Sequence, residues 1–469
     1  MKKTFPFYLL AISIFLLIIS PFLLSRGMFL DGIVYANFSK NFAIGDGTFL
    51  HPFYSETYLT NFVSHPPMFF FFEGLFFKLF GTSFFVERFY SVLCVLITGF
   101  VTIKLYKKLG FKNAFLPLFF LVSIPLITWS AANNIIENTL MIFTILSVLF
   151  YIYSFEKKRF LFLLLSGLSI SIGFSLKGFV ALFPYSLPFI YWLIIRKNNF
   201  KRMLLDTLLI IVFSALPVLI SIYFFHEVKE YFISYFNIQI IGDLLNEQTV
   251  DSRFYILGRF LSEIIPSIII CGLYVLIIKL KTKSYPFISK DNNKKALMIL
   301  LFSLTAVLPI MISMKQRGFY LLPAFPFLAI AFSALIDNSV GDLLSKLDIK
   351  SKCYFWFKSF SIGLFVVSII IPVFFYGKDS RDKKLLSDMD VIANYLPPKA
   401  VVNVSKEMEK EYSLFAYYAR FHNISLDPNI NNKRKYILIR KEYNNNFEEL
   451  HYRKVKLETE SFNVYEKEN

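Results

Sequence analysis

Residues 5–24 read FPFYLLAISIFLLIISPFLL, a stretch of twenty residues without a charged side chain. About 20 consecutive apolar residues are needed for an α-helix to cross the hydrocarbon core of a bilayer. The stretch therefore predicts a first transmembrane helix. Because it follows Lys2 and Lys3, it also resembles a secretory signal sequence, but its apolar run is longer than that of a cleaved signal. Pro21 to Arg26 also offers no small-residue cleavage site, so we expect an uncleaved helix.

Further apolar runs repeat along the chain. They lie at 66–80, 86–105, 113–131, 138–155, 160–176, 178–195, 205–225, 264–280, 296–314, 319–336 and 354–376. Hydrophobic residues make up 56% of the sequence and charged residues only 18%, whereas soluble domains carry about 25% charged residues. The 3 cysteines follow no repeating spacing, which indicates neither a metal site nor a disulfide framework. This composition excludes a soluble enzyme, a secreted disulfide scaffold and a disordered chain, and it predicts a polytopic membrane protein.

The basic residues orient these spans. Lys and Arg number 50 against 33 Asp and Glu, a net charge of +17, and most of the excess lies in short loops. Such spreading argues against a nucleic-acid partner, which would require a clustered basic face. Loops rich in Lys and Arg mark the cytoplasmic side. The basic loops are Lys2-Lys3, Lys104 to Lys112, Lys157 to Arg159, Arg196 to Arg202, Lys279 to Lys295 and Lys346 to Lys352.

All of these loops share one side only if the run 66–80 does not cross. As a helix that run would be about 22 Å long, shorter than a hydrocarbon core of about 30 Å. We expect an interfacial or re-entrant helix on the outer face. The fold class is then an all-α polytopic membrane protein with about 11 to 13 transmembrane helices, the N-terminus inside and the C-terminus outside.

Three segments are then large and external: the loop 25–85, the loop 226–263 and the tail 377–469. The tail changes composition abruptly, with short strand-like pieces at 400–404 and 436–439 and a helical piece at 408–418. We therefore predict a transmembrane domain at 1–376 and a small external α/β domain at 377–469. About 90 residues are just enough for such a domain to fold alone.

The first unusual residues lie between the first span and the run 66–80. Asp31 and Tyr35 are four residues apart and share one face if the segment is helical. His65 precedes the paired prolines Pro66 and Pro67, which fix the entry to the next helix. Ordinary alternatives exist, because Asp31 could be a helix N-cap and His65 could also cap a helix.

Further ionisable residues follow at the outer ends of later spans. Glu137 lies where the chain turns outside between two spans, and Lys177 lies between two closely spaced spans. Lys315 and Arg317 are cations on the outer face, where the inside-positive bias makes them unexpected. Glu137 could instead be a solvated loop carboxylate, and Lys177 could be a lysine whose stem lies in the membrane while its ammonium reaches water.

Together these residues predict a site at one membrane face. Ionisable side chains next to apolar segments are costly and are functional candidates by default. Cations there could bind the phosphate of a lipid-linked substrate and stabilise it as a leaving group. A carboxylate such as Asp31 could take the proton of an incoming hydroxyl group.

The order of these residues resembles that of the GT-C glycosyltransferases, and more specifically the superfamily of protein O-mannosyltransferases and lipid A aminoarabinose transferases. The resemblance spans roughly residues 5–340. It is carried by Asp31-x-x-x-Tyr35-Ala36, His65-Pro66-Pro67 with the aromatic run that follows, Arg88, Glu137, Leu176-Lys177-Gly178 and Arg317-x-x-Tyr320-Leu-Leu-Pro323-x-x-Pro326.

The resemblance implies a membrane enzyme that takes a sugar from a polyprenyl-phosphate donor, such as undecaprenyl phosphate, and transfers it with inversion. The acceptor would be lipid A in the lipopolysaccharide, another glycan or a protein hydroxyl, on the periplasmic face of a bacterial inner membrane. No cofactor is firmly predicted, and a divalent metal is left open. The implied site comprises Asp31 and Glu137 as catalytic residues, Lys177, Lys315, Arg317 and Tyr320 at the donor phosphate, and Tyr35, His65 and Arg88 in other substrate contacts.

The sequence also departs from the family pattern and leaves two other functions open. Some members of the family carry a second acidic residue directly after the first, whereas this chain has Gly32 at that point. A transporter or flippase of lipid-linked saccharides would also need many spans, but its polar residues would be spread through the depth of the membrane. A catalytically silent scaffold that recruits a partner through its tail is the third possibility.

Overall fold

The structure is a computed structural model that describes residues 3–60, 62–156, 158–242, 247–282, 290–443 and 451–468. Lys2, Lys157 and part of the basic loop Lys279 to Lys295 lie outside the described residues. The chain divides into two compact units. We call Met1–Ser20, Val63–Met68 and Ser91–Phe374 the helical unit, and Pro21–Phe62, Phe69–Tyr90 and Phe375–Asn469 the sheet unit.

Seventeen α-helices lie within the described residues. They are α1 (Phe5–Leu23), α2 (Leu30–Ile44), α3 (Met68–Phe80), α4 (Val86–Lys108), α5 (Leu116–Val122), α6 (Pro125–Asn133), α7 (Ile136–Tyr153), α8 (Arg159–Lys177), α9 (Leu187–Ile195), α10 (Phe200–Phe224), α11 (His226–Ser234), α12 (Tyr255–Thr282), α13 (Lys290–Val307), α14 (Phe325–Ser345), α15 (Lys352–Ile370), α16 (Lys383–Tyr395) and α17 (Tyr412–Tyr417). Short 3₁₀ segments join several of them, notably Gly178–Ser186, Leu308–Ile312 and Gly318–Ala324.

In the part of the chain that the structure describes, nine helices are long and apolar enough to cross a membrane, and the pair α5–α6, bent by 72°, makes a tenth if it is one broken span. One of the nine, Arg159–Ile195, is 37 residues long. The chain reverses direction at Gly178. The evidence is that a Cβ atom built on Gly173 would lie 3.1 Å from the Cβ atom of Ala181. Residues eight apart in a straight helix are about 12 Å apart. This stretch therefore supplies two segments, as the separate predicted runs 160–176 and 178–195 require.

The spans differ in how much of their surface lies inside the protein. The span Gly318–Ser345 is 83% buried, whereas Phe200–Phe224 is 22% and Lys352–Phe375 is 17% buried. α14 is thus the centre of the helical unit, and α10 and α15 present mostly apolar side chains outward, as helices facing lipid tails do. The predicted all-α polytopic architecture is confirmed, and the protein is a multi-span membrane protein.

Two buried carboxylates fix helix ends in the helical unit. Asp337 of α14 accepts hydrogen bonds from Asn113 N at 2.8 Å and from Tyr106 Oη at 3.1 Å, which ties the turn before α5 to α14. Glu263 of α12 accepts from Leu126 N at 2.8 Å, a backbone group at the start of α6 with no partner inside its own helix. α12 begins nine residues before the predicted run 264–280, because Arg259 pairs with Glu263 one helical turn away at 2.5 Å.

The sheet unit contains α2, α3, α16, α17 and five strands. These are β1 (Val401–Val404), β2 (Ser425–Asp427), β3 (Tyr436–Arg440), β4 (Tyr452–Val455) and β5 (Phe462–Lys467), in the spatial order β2-β1-β3-β5-β4. β1 pairs in parallel with β2 and β3, and β5 pairs antiparallel with β3 and β4. The predicted strands at 400–404 and 436–439 are thereby confirmed.

The apolar core of the sheet unit combines distant parts of the sequence. Met28 and Ile33 lie in one buried cluster with Leu386 of α16 and with Val402 and Leu438 of the sheet. α3 is 13 residues long, about 20 Å, too short to cross a bilayer. Its interfacial position and the division of the chain at 376/377 into membrane and external domains stay predictions.

Candidate active site

A buried ion pair joins two of the predicted site residues. Glu137 lies in the first turn of α7 and Lys177 is the last residue of α8. A helix dipole is positive at the N-terminus and negative at the C-terminus. It therefore favours the negative charge of Glu137 at the start of α7 and the positive charge of Lys177 at the end of α8. The Lys177 ammonium contacts the Glu137 carboxylate, and their side chains are 5% and 0% exposed. Because an unpaired buried charge costs about 3–5 kcal/mol, each residue depends on the other.

Aromatic rings cover the ammonium of this pair. Lys177 Nζ lies 4.7 Å from the ring centroid of Tyr320 and 5.3 Å from that of Phe319. Trp129 stacks on Phe319 with the two ring planes 11° apart. Aromatic faces attract cations, and more strongly where water is excluded. Lys177 is therefore held in place between a carboxylate and the predicted phosphate ligand Tyr320.

His65 lies near the ammonium groups of both Lys177 and Lys315. Burial lowers the pKa of His65 well below its usual value, and the charges of Lys177 and Lys315 lower it further. The backbone carbonyl of His65 accepts a 2.6 Å hydrogen bond from Tyr231 Oη of α11. His65 is thus a neutral imidazole at neutral pH beside two cations. Lys315 itself lies 3.8 Å from a carboxylate oxygen of Glu247.

The segment that carries Lys315 and Arg317 is fixed by a glutamine that sequence reasoning missed. Gln316 is buried and donates to the carbonyl of Arg253 at 2.9 Å, while its Oε1 accepts from Ile256 N at 3.0 Å. Its backbone N–H donates to Thr249 Oγ1 at 3.0 Å. Gln316 anchors the segment, which sets the positions of the cations on either side. Arg317 is exposed.

The remaining predicted residues, Asp31, Tyr35 and Arg88, belong to the sheet unit. Asp31 lies half-buried in the first turn of α2, whose N-cap is Phe29, so Asp31 is not the cap. Tyr35 is buried, with its ring centroid 5.7 Å from that of Phe69. Arg88 is buried and donates to the carbonyls of Ser25 and Gly27 ahead of α2. These contacts favour a structural role for Arg88, and its substrate contact stays a prediction.

Three charged residues of the sheet unit were not predicted as site or core residues. Lys40 is buried and donates to the carbonyls of Ala419 at 2.9 Å and Arg420 at 3.2 Å. Burial lowers the pKa of Lys40 well below its usual value, and Arg420 lowers it further. Arg420 pairs with the buried Glu87 at 2.8 Å. No sequence pattern distinguishes these charges from surface ones, because their partners lie more than 300 positions away.

Metal-ligating side chains do not gather in the described ranges. No group of three or more His, Cys, Asp or Glu residues that could hold a metal ion occurs there. The arrangement in the helical unit instead combines two ammonium groups, one neutral imidazole and one buried carboxylate. Such a set can bind a phosphate group and hold a proton donor or acceptor beside it.

A protein-family model matches part of the chain. Residues 64–221 match the family described as dolichyl-phosphate-mannose-protein mannosyltransferase. A search of curated protein sequences gave no significant match.

Solved structures resemble the chain over nearly its whole length. The crystal structure of ArnT from Cupriavidus metallidurans bound to undecaprenyl phosphate matches 97% of this chain and 97% of its own, at a TM-score of 0.67 and 13% identity. The apo structure of the same protein matches 97% of this chain and 96% of its own, at a TM-score of 0.65 and 14% identity. The archaeal oligosaccharyltransferase AglB from Archaeoglobus fulgidus, in complex with an inhibitory peptide and a dolichol-phosphate, matches 94% of this chain and 70% of its own at a TM-score of 0.52 and 11% identity.

Proposed function

We propose that this chain, which has the GT-C fold of these proteins, is a membrane glycosyltransferase that uses a polyprenyl-phosphate sugar as donor. The GT-C resemblance predicted from the sequence is confirmed by the family match and the structural matches. The observation that carries the proposal is the buried Glu137–Lys177 pair beneath Tyr320, with His65 near both Lys177 and Lys315. The acceptor is a hydroxyl of a lipid, a glycan or a protein, on the outer face of a bacterial inner membrane.

The cations of the helical unit are assigned to the donor phosphate. Lys177 and Lys315 bind its oxygens, Arg317 adds a further cation, and Tyr320 donates a hydrogen bond. Lys177 is held by Glu137 before the donor arrives, so little reorganisation is needed when charge develops on the phosphate. In a site shielded from water this attraction is much stronger than in bulk solvent. Glu137 therefore supports catalysis by holding Lys177.

The transfer itself is a displacement at the anomeric carbon. The acceptor oxygen forms a bond to that carbon from the face opposite the phosphate, and the bond from the carbon to the phosphate oxygen breaks. The polyprenyl phosphate leaves with the electron pair, and Asp31 takes the proton of the acceptor hydroxyl. Attack from the opposite face inverts the configuration. His65 as a neutral imidazole and Tyr35 contribute hydrogen bonds to the sugar or acceptor.

A charge-neutral double variant tests the assignment of Lys177. The protein is reconstituted in vesicles with a radiolabelled polyprenyl-phosphate sugar, and transfer and thermal unfolding are both measured. Lys177→Met alone should unfold more easily, because Glu137 is left unpaired. Lys177→Met with Glu137→Gln should recover the thermal stability but not the activity, which should stay about 10²–10³-fold below wild type, as for loss of one oxyanion-stabilising donor.

Two results would contradict the proposal. Recovery of full transfer in the double variant would show that the pair is only structural. Movement of the intact lipid-linked sugar between the two leaflets, with no cleavage of its phosphate bond by the wild type, would identify a flippase instead. Lys197→Met, which changes an exposed lysine, is the matched control and should transfer as wild type does.

A further inference from the structure

A cavity with both polar and apolar walls lies entirely within the sheet unit. Its volume is about 200 Å³, and Asn423 lines it, so we call it the Asn423 cavity. The part of its wall used below consists of Asp46, Phe53, Glu56, Lys399, Asn423 and Ser425. None of the residues that line it belongs to the helical unit. Binding sites for drug-sized ligands measure about 300–1,000 Å³, so this cavity suits a ligand of a single ring.

Hydrogen bonds fix the walls of the Asn423 cavity. The side chain of Asn41 on α2 donates to the carbonyls of Phe53 at 2.9 Å and Tyr54 at 3.1 Å. The backbone N–H of Glu56 donates to Ser425 Oγ on the edge strand β2 at 3.0 Å. The segment that carries Phe53 and Glu56 is thereby fastened to a helix on one side and to the sheet on the other. The cavity is preformed, which reduces the entropy lost when a ligand binds.

A buried lysine orients the amide of Asn423. Lys40 Nζ donates to Asn423 Oδ1 at 2.5 Å from behind the cavity wall. The amide oxygen of Asn423 is thus the atom that accepts from Lys40. The amide nitrogen, for which the described residues provide no hydrogen-bond acceptor, remains available as a donor to a ligand.

The charges around the cavity disfavour an anionic ligand. The Asp46 carboxylate lies 3.6 Å from the Lys399 ammonium, and Glu56 contributes a second, exposed carboxylate. Asp46 and Lys399 largely offset each other's charge, and the Glu56 carboxylate disfavours an anion. Hydroxyl groups both donate and accept, so they suit a wall of carboxylates, an ammonium and an amide nitrogen. The half-buried ring of Phe53 offers an apolar face beside them.

We propose that the Asn423 cavity binds one neutral, hydroxyl-rich sugar ring. Glu56 accepts from its hydroxyls, the amide nitrogen of Asn423 donates to them, and Phe53 packs against the face of the ring. This site goes beyond the proposed transfer reaction, because the donor phosphate cluster does not require it. It would hold a sugar unit independently of whether the chain transfers one.

Saturation-transfer NMR with the full chain tests this site. The protein is placed in lipid nanodiscs free of sugar-based detergent and titrated with a panel of neutral methyl hexosides. Glu56→Gln removes the acceptor charge, and Asn423→Asp removes the amide donor but keeps an oxygen for Lys40. Each should weaken binding of the best hexoside about fivefold, the effect of one lost hydrogen bond. Glu407→Gln, an exposed acid of the sheet unit outside the cavity, is the matched control.

The result is separable from the proposed function. Lys177→Met with Glu137→Gln should lose transfer but bind the hexoside as wild type does. The proposal is overturned if no hexoside binds, if Glu56→Gln and Asn423→Asp bind as tightly as Glu407→Gln, or if the signal disappears in the Lys177 double variant. Displacement of the hexoside by inorganic phosphate would equally overturn the assignment of a neutral ligand.

Discussion

At the scale of single residues, the charges of the helical unit are positioned before any ligand arrives. Lys177 contacts Glu137 and lies over Tyr320, and Lys315 is carried by a segment that Gln316 anchors. A flexible surface lysine would lose rotamer freedom on gripping a phosphate, at a cost of up to about 2 kcal/mol. Lys177 has already lost that freedom. The pair therefore favours a site that is preorganised for an anion.

Asp31 is the residue whose substitution tests the proposed base. Asp31→Asn keeps the size of the side chain but removes its ability to take a proton. Transfer should fall by at least about 10²-fold, because general-base catalysis contributes about 10²–10⁴. Donor binding, measured with a radiolabelled polyprenyl phosphate, should change little. Asp342→Asn, an exposed acid of α14, serves as the control. Unchanged turnover in Asp31→Asn would remove Asp31 from the role of base.

His65 predicts how stability depends on pH. Burial and the charges of Lys177 and Lys315 hold its pKa in the folded protein below the ordinary value of 6.5. As pH falls through 6.5, the unfolded chain binds a proton that the folded chain does not, so stability decreases. The midpoint of thermal unfolding should therefore drop further between about pH 7.5 and about pH 5.5 in wild type than in His65→Gln. Equal drops in the two proteins would contradict this.

At the scale of elements, the reversal after α8 depends on one glycine. Gly178 has φ of +67°, and a Cβ there would lie closer than van der Waals contact to Tyr235 Oη. Gly178→Ala should therefore lower the midpoint of thermal unfolding, since with ψ of −137° this backbone conformation is one that residues other than glycine rarely adopt, at a cost of about 1–3 kcal/mol. It should also reduce transfer, because Lys177 is the preceding residue. Circular dichroism melts and the vesicle assay measure the two effects.

The control for this glycine lies in α15. A Cβ on Gly363 would meet open space, and the residue sits inside a helix where alanine is favoured. Gly363→Ala should leave activity unchanged and stability equal or slightly higher. If Gly178→Ala were as stable and active as Gly363→Ala, the turn at Gly178 would not hold Lys177 in place.

The sequence predicted elements better than it predicted the partners of buried charges. Apolar run length located the spans, because crossing a bilayer imposes a length, and the short run 66–80 gave the short helix α3. The early start of α12 was missed because its first turns are polar and contain the Arg259–Glu263 pair. A prediction based on apolar run length assigns such a polar segment to a loop. Lys40 and Arg420 were missed because their partners are far away in sequence.

At the scale of the whole molecule, the sheet unit is assembled from three separate stretches of the chain. Arg420 of the last stretch donates to the carbonyls of Thr82 at 3.1 Å and Ser83 at 3.0 Å and pairs with Glu87. Lys40 of the first stretch binds two carbonyls of the last. Charged side chains thus fasten the last stretch of the sheet unit to the first two.

A cleaved protein tests this fastening. With a protease site inserted after Phe374, the last residue of the helical unit, cleavage should leave the tail bound to the rest of the protein in mild detergent. Arg420→Ala leaves Glu87 buried and unpaired at a cost of about 3–5 kcal/mol, so the tail should then dissociate. Arg453→Ala, which changes an exposed arginine of β4, should retain it. Size-exclusion chromatography after cleavage measures retention, and loss of the tail from the wild type would contradict the prediction.

The composition of the sheet unit also has a consequence for biosynthesis. A ribosome finishes α2 and α3 long before it reaches the strands that cover Met28 and Ile33. Contacts between distant parts of a chain form late and leave apolar surface exposed in the interval. The first two stretches of the sheet unit must therefore remain incompletely folded while the intervening spans are inserted. A premature stop codon that removes the last strands should consequently leave Met28 and Ile33 without their apolar contacts. It should therefore destabilise the segment that contains α2 as severely as the remaining part of the sheet.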